Sequence, residues 1–138
     1  MKHLKPVKLL SMSLLMLLAI GWMTVFSAPS DEQMQKNADP IMDNILSAIK
    51  AGNYDDYIKD FDAQMKSAVT KDNFQRTNQV LKASIGIYQS RTFGMVMEKD
   101  QYQIIIWKGQ FSKQKDVMIK LVLSQINGKW KVSGLWFG

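Results

Sequence analysis

At Gly86 the spacing of apolar residues changes, and that change constrains the fold more than any other feature of the sequence. Before it, apolar residues recur every three to four positions, the period of a helix with one buried face. After it they alternate, the period of a strand. Four alternating runs follow, over roughly 87–98, 102–111, 116–126 and 129–137. The breaks are short: Asp100-Gln101, Ser112 to Lys115, and Asn127-Gly128. Asn-Gly between two alternating runs reads as a two-residue hairpin turn, because both residues tolerate positive φ. Connections this short force antiparallel neighbours, so the sheet is a meander. The order predicts an α+β fold, with N-terminal helices packed on one face of a curved four-stranded antiparallel meander.

The helical half carries its own punctuation. Asp39 is a suitable cap, and Pro40 suits a first helical position, where its missing N–H costs nothing. Ile41, Met42, Ile45, Leu46 and Ile49 then form one stripe, ended by Gly52 as a left-handed cap. Asn53 caps the next segment, in which Tyr54, Tyr57, Ile58, Phe61 and Met65 repeat at helical spacing. A break near Asp62 would make it two short helices. Thr70 caps a helix over 71–84, with Phe74, Thr77, Leu81 and Ile85 on its buried side. Residues 28–38 are polar with no apolar period. They read as a flexible leader, which places the folded domain at 39–138.

On the strands, Ile105, Trp107 and Phe111 share one face, as do Val117, Ile119, Leu121 and Leu123, and then Trp130, Val132 and Trp136. The opposite face holds Ile104, Ile106, Val122, Leu135 and Phe137, too apolar for a solvated surface. A sheet apolar on both sides needs a second cover. These five residues are therefore the interface candidates, and a homodimer is the expected partner arrangement.

The N-terminus carries an export pattern. Lys2, Lys5 and Lys8 precede an apolar stretch that runs to Phe26, and Val25-Phe26-Ser27 suits cleavage before Ala28. Residues 1–27 read as a signal peptide, which sends the rest of the chain to a periplasm or to the outside. Retained, the same stretch would be an N-terminal membrane anchor. After cleavage no membrane contact is expected. The only His is His3 and there is no Cys, so residues 28–138 lack the parts for Ser-His-Asp or Cys-His catalysis and for the usual transition-metal sites. No metal, cofactor or catalytic residue is assigned. Residues 84–138 carry eight basic and three acidic groups, but the lysines are scattered and Arg is scarce. Nucleic acid is therefore not an expected partner. Asp55, Asp56, Asp60 and Asp62 lack the spacing of a calcium loop; Asp55 and Asp56 suit a helix start, and the four read as a solvated helix face.

Tyr57, Phe61, Tyr88, Arg91, Trp107 and Trp130 are the candidates for lining a pocket for a small apolar or anionic ligand. Large aromatics equally suit a filled core. An isomerase-like or hydrolytic mechanism would rest on Tyr and Asp alone, and no acid falls at an inward strand position.

Three short motifs, in order, carry a resemblance. They are Ala51-Gly52-Asn53-Tyr54-Asp55, Lys59-Asp60-Phe61-Asp62, and Ser133-Gly134-Leu135-Trp136-Phe137, with Gly86 and Tyr88-Gln89-Ser90 between them. Over roughly 39–138 the chain resembles the NTF2-like, cystatin-like superfamily of cone-shaped α+β domains. It is most similar to a branch of small exported bacterial and archaeal domains of unknown function. The resemblance implies a fold and an exported location, and no activity. The expected function is an exported, non-catalytic binding or assembly module that self-associates through the outer sheet face. A small-molecule binder with an apolar cone pocket is the alternative, and a Tyr/Asp enzyme comes third.

Overall fold

In the computed structural model, which describes residues 27–138, the first helix starts at a capping box. Ser30 Oγ accepts from the Gln33 amide, and the Gln33 side chain accepts from the Ser30 amide. Helix α1 runs from Asp31 to Ala51. Residues 31–38, expected as a flexible leader, are thus its first two turns, and the start expected at Asp39-Pro40 moves to Asp31. Met34 and Ala38 are fully buried and continue the stripe of Met42 and Ile45. One Met among polar residues shows no period in the sequence, although its spacing to Ala38 and Met42 is helical. Pro40 lies inside the helix on its exposed side, so the carbonyl deprived of a donor faces water.

Gly52 closes α1 in the left-handed conformation. Helix α2 (Tyr54–Ile58) is capped by Asn53, and α3 (Ala63–Ala68) by Asp62, so the break falls where expected. Helix α4 (Lys71–Ser84) is capped by Thr70. Its buried face holds Phe74 and Asn78, whereas Thr77 is exposed. Asn78 Nδ2 donates to the Ile49 carbonyl at 3.3 Å, which satisfies an acceptor in the last turn of α1.

Strands β1 (Tyr88–Lys99), β2 (Tyr102–Phe111), β3 (Val117–Ile126) and β4 (Lys129–Phe137) pair in chain order, each antiparallel to the next. Asn127 and Gly128 have φ of 52° and 76°, the hairpin turn read from the sequence. Helix α1 lies over the inner face, where Ile105, Trp107, Val117, Ile119, Leu121, Leu123 and Val132 are almost wholly buried. The fold is α+β, helices on an open sheet. The export segment expected over 1–27 lies, Ser27 apart, outside the described residues. Among the described residues no helix is long and apolar enough to cross a membrane.

One irregularity redirects the last strand. Val122 pairs with Gly134, but Leu123 pairs with Val132, so Ser133 is an extra residue in β4. The bulge shifts the alternation by one. Beyond it Leu135 faces Leu121, Phe137 faces Ile119, and Trp136 faces Lys120. Leu135 and Phe137, expected on the outer face, therefore belong to the inner one and pack against the core. Trp136, expected inside with Val132, stands on the outer face, 53% exposed. A uniform alternation cannot register an inserted residue.

The free edge of β4 is closed by the chain just before α3. The Asp62 amide donates to the Val132 carbonyl at 2.9 Å, and the Val132 amide to the Asp60 carbonyl at 2.8 Å. Asp62 also caps α3, and its other carboxylate oxygen accepts from Ser133 at 2.7 Å, with Ser124 next in the chain. Asp60 and Asp62 are thus held by structural work at a sheet edge.

Candidate functional site

Two regions of the surface combine residue types that suggest binding. The first is the outer sheet face. The register sets its side chains in rows across the strands. One row is Met95, Ile106, Lys120 and Trp136, and the next is Met97, Ile104, Val122 and Gly134. Met118 stands beside them, opposite Lys108. Met95, Met97, Met118 and Trp136 are each 42–53% exposed. Gly134 is required by its neighbour: a Cβ there would lie 2.6 Å from the Trp136 ring. The indole therefore lies over the backbone of its own strand. Lys120 Nζ is 4.5 Å from the indole centroid, a cation–π contact that lays the lysine stem along the apolar patch.

Ile104, Ile106 and Val122 thus lie where the sequence suggested, and Leu135 and Phe137 do not. Sequence reasoning missed Met95, Met97, Met118 and Trp136. Met95 and Met97 lie on a strand with its own register shift between Phe93 and Met95 at Gly94. The alternation of Met95 and Met97 with Val96 was the available signal. The two central rows and the flanking rows, Thr92–Lys108–Met118 and Lys99–Tyr102–Ser124–Lys131, contain four lysines and no acid.

The second region surrounds Arg91. Its Nη1 donates to Asp43 at 2.7 Å and to the Tyr88 hydroxyl at 3.1 Å, and its Nη2 to Asp39 at 3.0 Å. The guanidinium lies 5.4 Å from the centroid of the Trp107 ring. Burial pulls the Arg91 pKa down. The hydrogen bonds it donates to Asp43, Tyr88 and Asp39 outweigh burial and hold the guanidinium above its ordinary value. Arg91 thus ties α1 to β1, with both carboxylates already on it, and is not poised for an external anion. The alternation of Asp39 and Asp43 at helical spacing was the signal for this pairing.

The six pocket candidates do not meet in one place. Tyr88, Arg91 and Trp107 share the cluster just described. Tyr57 and Phe61 form an edge-on pair at 5.0 Å, and Tyr57 also stacks on Phe74 at 4.6 Å. Trp130 packs against the core from β4. Trp107 and Phe61 are 1% and 2% exposed, so these aromatics fill the interior between sheet and helices. Among the described residues the buried Trp107 indole N–H has no acceptor. Burial raises the Tyr57 pKa to about 12. Asp55 and Asp56 lie in the first turn of α2, where the helix dipole favours acids.

No curated protein matches the chain. A family model does, over residues 43–135. That span begins at Asp43, one of the two carboxylates that hold Arg91, and ends at Leu135 just past the β4 bulge, so it covers most of both regions and leaves out Asp39 and Trp136. The chain belongs to that family, described as a protein of unknown function (DUF3887).

Proposed function

We propose that residues 28–138 form an exported, non-catalytic binding domain of the NTF2-like type, which self-associates as a twofold pair through its outer sheet face. The observation that carries the reading is the patch of Met95, Met97, Ile104, Ile106, Met118, Val122 and Trp136, contiguous across all four strands. Patches of this kind on soluble chains mark interaction sites. A twofold axis through this face would set the patch against its own copy. The absence of His and Cys after residue 3 supports a non-catalytic role.

Export is supported by the basic and apolar N-terminal sequence. Cleavage before Ala28 would leave Ser30 and its capping box intact, so processing and folding are compatible. The chain released by an exporting host is expected to have the mass of residues 28–138. Intact mass measurement checks this, and a released chain retaining residues 1–27 would overturn it.

Self-association is tested by sedimentation equilibrium of the released protein. A dimer is expected at concentrations up to about 100 µM, which captures affinities weaker than micromolar. Ile106→Asp and Val122→Asp each place a charge in the patch and are expected to give a folded monomer. A wild type that stays monomeric over that range would overturn the twofold reading.

A further inference from the structure

On the inner side of the sheet, next to the Arg91 cluster, the C-terminal ends of α1 and α4 meet the end of the sheet where β1 starts and β2 and β4 finish. A partly enclosed cavity of about 230 Å³ lies between them. Its walls are Leu46 and Ile49 from α1, Leu81 from α4, Ile87, and the rings of Tyr88, Phe111 and Phe137. Phe111 and Phe137 meet edge-on at 6.3 Å and form the floor. Only the bulge at Ser133 makes this possible, since it turns Phe137 inward. Lys50 and Lys82 are at the rim, and both are exposed. Neither takes part in an ion pair among the described residues. A shallower recess of about 320 Å³ shares Leu46, Lys50 and Tyr88 with the cavity and also carries Asp43.

We propose that this cavity binds an amphipathic carboxylate, a short fatty or aromatic acid, with its apolar body between the helices and its head between Lys50 and Lys82. Size sets the body: at roughly 30 Å³ per small group, the cavity takes about seven or eight. Wall chemistry makes that body apolar, since every wall residue is aliphatic or aromatic. Charge sets the head: neither rim cation is ion-paired among the described residues, and Asp43, which lines the adjoining recess with Lys50, is already paired with Arg91. A neutral apolar ligand would leave them idle, and a dianion or phosphate would gain nothing from the apolar walls. The site lies on the inner side of the sheet and shares no residue with the outer patch.

The test is titration calorimetry on the protein released by an exporting host, with octanoate and 1-octanol as probes of equal chain length. Octanoate is expected to bind, and octanol to bind at least about tenfold more weakly, the share a charge-assisted contact contributes. Lys50→Gln with Lys82→Gln is expected to remove that difference, lowering octanoate affinity to that of octanol and leaving octanol unchanged. Leu81→Trp fills the cavity and is expected to abolish both. Its thermal melt shows whether the fold is kept; if it is lost, the lysine pair decides alone. No heat and no rise in melting temperature up to about 10 mM octanoate, where even millimolar binding saturates, would overturn the proposal. So would equal affinity for the two probes, or octanoate binding unchanged in the lysine double variant or in a folded Leu81→Trp.

Discussion

Tyr57 and Arg91 are the two side chains whose surroundings most alter their chemistry, and both serve the fold. The Tyr57 hydroxyl is harder to ionise in the folded chain because burial disfavours the phenolate, which raises its pKa to about 12. A pKa raised by folding contributes stability that is complete below the unfolded value, near 10, and is lost as pH climbs toward about 12. Urea midpoints of the wild type should therefore fall more steeply between about pH 10 and 12 than those of Tyr57→Phe, which has no proton to lose. Parallel curves would show that Tyr57 is not the group responsible. Arg91 is different, since its partners remain partly wet: the Asp39 and Asp43 side chains are 37% and 65% exposed. Arg91→Met should thus cost about 1–2 kcal/mol in chemical unfolding, less than for a buried pair, because water takes over much of the carboxylate solvation. Arg91→Lys should recover only part of this, having neither the fork for two carboxylates nor the plane that rests on Trp107.

At the scale of the element, the N-terminal turns of α1 and the bulge of β4 explain both what the sequence disclosed and what it concealed. The hairpins, the caps at Asn53, Asp62 and Thr70, and the inner-face residues of β2 and β3 follow from local rules that act over a few residues. Met34 and Ala38 do not, because their burial is decided by a sheet some sixty residues further along. Ser30, by contrast, was readable: Ser-x-x-Gln is a capping box in sequence as well as in space. Ser30→Ala should cost about 1 kcal/mol and Met34→Ala about 2–5 kcal/mol, measured by denaturant unfolding. A near-neutral Met34→Ala would mean that the first turns of α1 are dispensable. The bulge was hidden for another reason. Ser133 differs from an ordinary outward strand residue only through its contacts with Asp62 and Ser124, distant in sequence from it or set on the facing strand. Half of the outer face was therefore legible, namely Ile104, Ile106 and Val122, and the part beyond the bulge was inverted.

For the whole molecule, charge sets how the proposed pairing of outer faces should respond to salt. The rows that carry the apolar patch also carry Lys99, Lys108, Lys120 and Lys131 without an acid. Two copies face to face bring these lysines together, so self-association should tighten as salt is raised from about 0.05 to 0.5 M and the repulsion is screened. An acidic partner would give the opposite slope, which makes the sign of the salt dependence the discriminating measurement. The strand order has a consequence for how the molecule comes to be. Every ladder joins strands adjacent in the chain, so each hairpin closes a short loop and the sheet can zip from one end to the other. Helix α1 must instead return across a long contour, as the Asp39–Arg91 bond, spanning 52 residues, shows. Hairpins before helix docking is the order that loop entropy favours. Truncations inside β2 or β3, such as Ile119→Val, then slow folding, whereas Met34→Ala leaves the folding rate almost alone and accelerates unfolding. On that order, the helix that shields the core is expected to be the last piece to arrive and the first to leave.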